Sequence, residues 1–170
     1  MADNEPIKRD ETPAQRADRN FNDILQELRV TQTGVQVLFS LLLTVPFTQR
    51  FDRVTDFQKD VYFVALLLAA ATTILLVAPV SVHRLVFHTG EKPWVVKVSS
   101  RLAVAGLVML CLTLTTVLLF VSDVLFEDTV ATLTATVFAA VTVTLWFVPP
   151  LLRLRTASAR AAARRPPAST

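Results

Sequence analysis

Val61-Tyr62-Phe63-Val64-Ala65-Leu66-Leu67-Leu68-Ala69-Ala70-Ala71-Thr72-Thr73-Ile74-Leu75-Leu76-Val77-Ala78-Pro79-Val80-Ser81-Val82 runs for 22 residues without one charged side chain. At about 1.5 Å of rise per residue, ~20 helical residues cross a hydrocarbon core of ~30 Å. Three more charge-free runs stand beside it: Val30–Gln49, Leu102–Ser122 and Thr129–Leu152, of 20, 21 and 24 residues. In lipid, only helices and closed barrels satisfy every backbone polar group. Continuous Leu/Val/Ala runs lack the period-2 alternation of a barrel strand. The expectation is an all-α integral membrane four-helix bundle with four spans.

The runs take up 87 of the 170 residues, and the loops between them have 11, 19 and 6. No loop is long enough for a soluble domain with its own core. A nucleic-acid partner is excluded, because no basic folded face with aromatics has room to form. The basic residues are unevenly placed. The two tails and the middle loop 83–101 hold fourteen Lys and Arg, against three in 50–60 and none in 123–128. The positive-inside bias puts both termini in the cytoplasm of a bacterial plasma membrane. The acids Asp123, Glu127 and Asp128 then face outward. No cleavable signal peptide is expected, since the first apolar run begins only at Val30 and no small-residue cleavage site follows it.

Residues 1–11 read as a disordered polar tail. Thr12-Pro13-Ala14-Gln15 is a helix start, with Thr12 to cap, Pro13 at the first helical position and Gln15 to bond back. Phe21, Ile24, Leu25 and Leu28 follow at i, i+3, i+4 and i+7, so 12–29 forms an N-terminal amphipathic helix. It lies in the headgroup plane or runs unbroken into the first span. The bundle then occupies 30–152. Residues 153–170 form a basic disordered tail attracted to anionic lipids at the cytoplasmic face.

Within the first span the polar residues share one face: Arg29, Gln32, Thr33, Gln36, Ser40 and Thr44 fall within roughly 120° at ~100° per residue. A lipid-facing amide is costly, so the stripe faces protein or water. Two readings stay open: a polar pathway, or interhelical hydrogen bonding that holds the bundle or an oligomer. Glu27, Arg29 and Arg101 sit where spans begin. They contact lipid headgroups, with the Arg stems snorkelling, or form a salt-bridged gate.

Proline near the end of the second span (Pro79) and of the fourth (Pro149-Pro150) kinks or stops the helix there. Arg29-x4-Gly34 and Arg101-x4-Gly106 open the two odd-numbered spans 72 residues apart, which suggests two duplicated hairpins. Cys111, the lone cysteine, reads as a small apolar packing residue. His83, His88 and Glu91 lack the helical spacing of a metal site. Trp94 and Trp146 read as interfacial anchors. No catalytic residue, cofactor or metal is expected.

Leu25-Gln26-Glu27-Leu28-Arg29-Val30-Thr31-Gln32-Thr33-Gly34-Val35-Gln36-Val37-Leu38-Phe39 and Thr44-Val45-Pro46-Phe47 resemble a signature of small four-span actinobacterial membrane proteins. Arg50-Phe51, Thr55-Asp56-Phe57-Gln58, Val61-Tyr62, Ala78-Pro79, His83-Arg84 and Arg101-Leu102-Ala103 add to it. The similarity covers about residues 12–125. The family is one of unknown function whose members often carry an automated sodium/proton antiporter label. The resemblance implies fold and location, and brings no site residues. Antiport needs an ionisable group deep in the membrane, and no Asp or Glu lies inside the four runs. The favoured expectation is a non-enzymatic membrane module: a subunit, sensor or organiser that forms a homo-oligomer or binds another membrane protein. The alternative is an oligomeric cation transporter or channel.

The charge partition predicts that reporters fused after Thr170 read as cytoplasmic and reporters inserted in 123–128 as external. An externally accessible C-terminus would overturn the orientation.

Overall fold

The computed structural model describes residues 12–86, 92–126 and 128–163. Helix α1 begins as the sequence predicts. Thr12 accepts from the Gln15 backbone N–H at 3.3 Å, while Gln15 Oε1 accepts from the Thr12 N–H at 2.9 Å. This reciprocal box satisfies two donors that a helix start leaves unpaired. From there α1 runs unbroken over Pro13–Thr44, 32 residues, and ends in a 3₁₀ turn at Val45–Phe47 around Pro46. The amphipathic segment and the first span are thus one helix. The cause is visible in the apolar register: Phe21, Leu28, Val35 and Leu42 are all buried and spaced seven apart across the join. No glycine or proline falls between Pro13 and Gly34 to interrupt it.

A short 3₁₀ turn, Phe51–Arg53, leads to α2 at Asp56–Val86; α3 is Lys92–Leu125 and α4 is Asp128–Ala163. These helices have 31, 34 and 36 residues, so each exceeds the hydrocarbon thickness and extends beyond it at its ends. The prolines do not end their helices: Pro79 lies inside α2, and Pro149 and Pro150 lie inside α4. Consequently residues 153–163, read from sequence as part of a disordered tail, continue α4. The segment is rich in Ala and Arg, both strong helix formers. The remainder of that tail, the N-terminal tail, His88, Glu91 and Glu127 fall outside the described residues.

The chain forms two compact units: Met1–Arg53 with Leu66–Leu110, and Val54–Ala65 with Cys111–Thr170. In the first, the α1 seam is accompanied by buried Ala69, Thr72, Leu76 and Pro79 of α2 and by Val95, Ser99 and Gly106 of α3. Phe21 stacks on His83, ring centroids 4.3 Å apart. In the second, Tyr62 and Ala65 of α2, Thr113, Phe120 and Ser122 of α3, and Ala131, Ala135 and Thr142 of α4 are buried. Tyr62 and Phe120 meet edge-tilted at 5.6 Å.

The buried positions follow heptads. In α2 they are 62, 65, 69, 72, 76 and 79; in α3 they are 95, 99, 106, 110, 111, 113, 120 and 122, of which 99, 106, 113 and 120 are seven apart. Such 3-4 spacing is that of knobs-into-holes packing. Outside α1 the buried positions are mostly Ala, Ser, Thr and Gly, while Leu67, Ile74, Leu133 and Leu145 stand outward at more than half exposure. Small residues inside and large aliphatic ones outside is the arrangement expected in lipid. There the hydrophobic effect does not drive helices together, and close packing does. The protein is an all-α membrane bundle of four helices.

Gly106 shows how close the approach is. A Cβ there would fall 2.5 Å from Leu76 Cδ2 and 3.0 Å from its Cγ, whereas a Cβ at Gly34 meets nothing within 4 Å. The matching Arg-x4-Gly motifs therefore sit in different settings. Gly106→Val should lower stability by roughly 1–3 kcal/mol through overpacking, and Gly34→Val should stay within about 0.5 kcal/mol. Loss of helicity in an SDS titration measures both, and equal effects would refute the close approach.

Candidate functional site

The polar stripe of α1 separates into two parts. Gln32 is half-buried, and its Nε2 donates to the main-chain carbonyl of Leu76 in α2. Pro79 lacks the N–H that would pair with the Leu75 carbonyl four residues back, and its ring opens that turn; the Leu76 carbonyl is the next one along. In lipid no water can complete such a turn, and neighbouring helices supply the donors. Gln32 supplies one at Leu76, within the turn that Pro79 opens.

The rest of the stripe lies on the exposed side of α1. Thr33 Oγ1 donates to the Arg29 carbonyl at 3.1 Å, Ser40 Oγ to the Gln36 carbonyl at 2.8 Å, and Thr44 Oγ1 to the Leu41 carbonyl at 2.6 Å. These hydroxyls are paired within their own helix. The Gln36 amide is exposed and has no side-chain partner among the described residues. Thr33, Gln36, Ser40 and Thr44 line a shallow groove of about 400 Å³.

Arg29, Glu27 and Arg101 are all exposed. Glu27 borders a recess of about 320 Å³ that Thr31 of α1 and Ser100, Ala103 and Val104 of α3 also line. Among the described residues no ion pair joins Glu27 to either arginine. Lys59 pairs with Asp56 at 3.0 Å on the surface.

A larger feature escaped the sequence reading. In the second unit a cleft of about 780 Å³ lies between the start of α2, the last turns of α3 and the first half of α4. Asp123 and Asp128 stand on its lining with Thr115, Leu119, Thr136 and Ala139. Gln58 organises it. Its Oε1 accepts from the Thr55 N–H at 3.0 Å, and its Nε2 donates to Asp123 Oδ2 at 2.9 Å and to the Asp123 carbonyl at 3.1 Å. Thr55 Oγ1 in turn accepts from the Gln58 N–H at 3.2 Å, so a second capping box opens α2. The sequence carried two signals for this cleft. One is the Thr55-x2-Gln58 box; the other is the i, i+4 columns Thr115/Leu119/Asp123 and Asp128/Thr132/Thr136 on α3 and α4.

The profile of a family of unknown function, DUF6328, matches residues 10–150. No curated protein and no solved structure matches the chain.

Gln32→Leu should lower bundle stability by about 0.6–2 kcal/mol, the range for interhelical hydrogen bonds in membranes. In a Pro79→Ala background, where the turn is regular, the same change should have a smaller effect. A double-mutant cycle in SDS unfolding measures the coupling. Zero coupling would show that Gln32 does not serve the proline turn.

Proposed function

The chain belongs to this family, and from that premise we propose that it is a non-enzymatic membrane module that assembles laterally with a second copy of itself through the outer face of α1. One observation carries the reading: the exposed, unpartnered amide of Gln36. By its place in the run Val30–Gln49, Gln36 lies about 5 Å from the middle of the span. Its side chain is too short to snorkel. An amide left unpaired in hydrocarbon costs roughly 2–7 kcal/mol. The neighbouring hydroxyls avoid that penalty by bonding to their own helix, but Gln36 needs a partner from outside the chain.

A second copy supplies one with the right chemistry. An amide is both donor and acceptor, so two Gln36 side chains related by a two-fold axis complete each other. The face carries no net charge between Val30 and Gln49, so nothing opposes like against like. The two termini face the cytoplasm of the plasma membrane in this proposal, with Arg29 and Arg101 at the anionic headgroups. An oligomeric cation transporter or channel, with Gln36 lining its axis, is the alternative.

Sedimentation in density-matched detergent should show a dimer or higher oligomer, and Gln36→Leu should weaken it at least tenfold, about 1.4 kcal/mol. In a Cys111→Ser background, Ser40→Cys should cross-link on oxidation. A monomer that gives no cross-link in liposomes would overturn the proposal. Cation flux in liposomes that disappears with Gln36→Leu would favour the transporter instead.

A further inference from the structure

We propose that the cleft of the second unit is a binding site for an amphipathic organic cation, with an ammonium-type head at Asp123 and Asp128 and an apolar body along Leu119 and Ala139. The site goes beyond lateral assembly through α1 and does not depend on it.

Size is the first support. About 780 Å³ is within the ~300–1,000 Å³ of small-molecule sites, whose walls are mostly apolar with a few placed polar groups. The depth is suited to an amphiphile. From Asp128 to Ala139 the lining follows α4 for about 16 Å, so a head at the rim leaves its body at bilayer level.

The polarity of the lining decides the class. Thr115 Oγ1 has given its proton to the Cys111 carbonyl at 2.8 Å, and Thr136 Oγ1 to the Thr132 carbonyl at 2.7 Å. A hydroxyl that donates to its own helix presents only lone pairs outward. Gln58 directs its Nε2 at Asp123 Oδ2 and at the Asp123 main-chain carbonyl, which removes the one side-chain amide donor of the cleft. The half-buried Asp123 and the exposed Asp128 add carboxylate acceptors. Among the described residues, no Lys or Arg is part of the lining. Apart from the Thr55 and Thr132 hydroxyls, the cleft offers acceptors and negative charge, which favours an occupant that brings donors and positive charge. An anionic lipid headgroup meets like charge at the rim and is disfavoured.

The test uses the full chain in nanodiscs of zwitterionic lipid, with empty nanodiscs as the blank. The probe is dansylcadaverine, a primary ammonium on a five-carbon chain with an aromatic body. Saturable binding is expected. Asp123→Asn, which keeps an acceptor for Gln58, should weaken it at least tenfold, equivalent to about 1.4 kcal/mol. Thr136→Trp, at an exposed position that tolerates bulk, should block the cleft to a similar degree, and Gln36→Leu should leave binding unchanged. The neutral N-acetyl probe should show no saturable binding. Equal affinity for the acetylated probe, equal binding by Asp123→Asn and Thr136→Trp, or no saturable binding by the wild-type chain would each overturn the proposal.

Discussion

Inside a bilayer an unpaired carbonyl has no water to turn to, and Pro79 leaves α2 one N–H short. The carbonyl left over is that of Leu75; Gln32 donates to the next one, Leu76, within the turn the proline opens, and much of the first unit follows from that bond. The bond requires α1 to lie against α2 at the depth of the proline turn. It fixes the rotation of α1, which places Val35 and Leu42 in the buried seam and turns Gln36 and Ser40 outward. The seam can close at Leu76 because the α3 position against it is Gly106, where even one methyl would collide. Close packing does here what the hydrophobic effect does in water.

The spans were legible in the sequence because their signal is chemical and redundant: four uncharged runs of membrane length leave no other fold. The start at Thr12 was legible too, since a capping box is a local motif. The length of α1 was not settled, because amphipathic patterning reads the same whether a helix bends at the interface or continues. Only the shared register of Phe21, Leu28, Val35 and Leu42 distinguishes them. The stop of α4 was misjudged because Pro149-Pro150 weakens a helix without deciding its end, and the Ala-rich stretch beyond it resumes the pattern.

The site was less legible, for a geometric reason. Periodicity assigns residues to a face but does not say what covers it. Gln32 and Gln36 are one turn apart and chemically identical, yet one is paired with α2 and the other is exposed. Likewise Gly34 and Gly106 share a motif and differ in surroundings. Asp123 and Asp128 were read only as charges of an outer loop. Their place beside Thr115 and Thr136 depends on three helix ends meeting, which no local pattern encodes.

Gln58 closes the first turn of α2 with its oxygen and holds the last turn of α3 with its nitrogen. A planar amide cannot swing away from one of these without leaving the other. The two turns therefore open as one cooperative unit and not as independently fraying ends, each borrowing the other's resistance to local unfolding. The edge of the bundle that would ordinarily be its most mobile part is instead held to the timescale of its slowest joint.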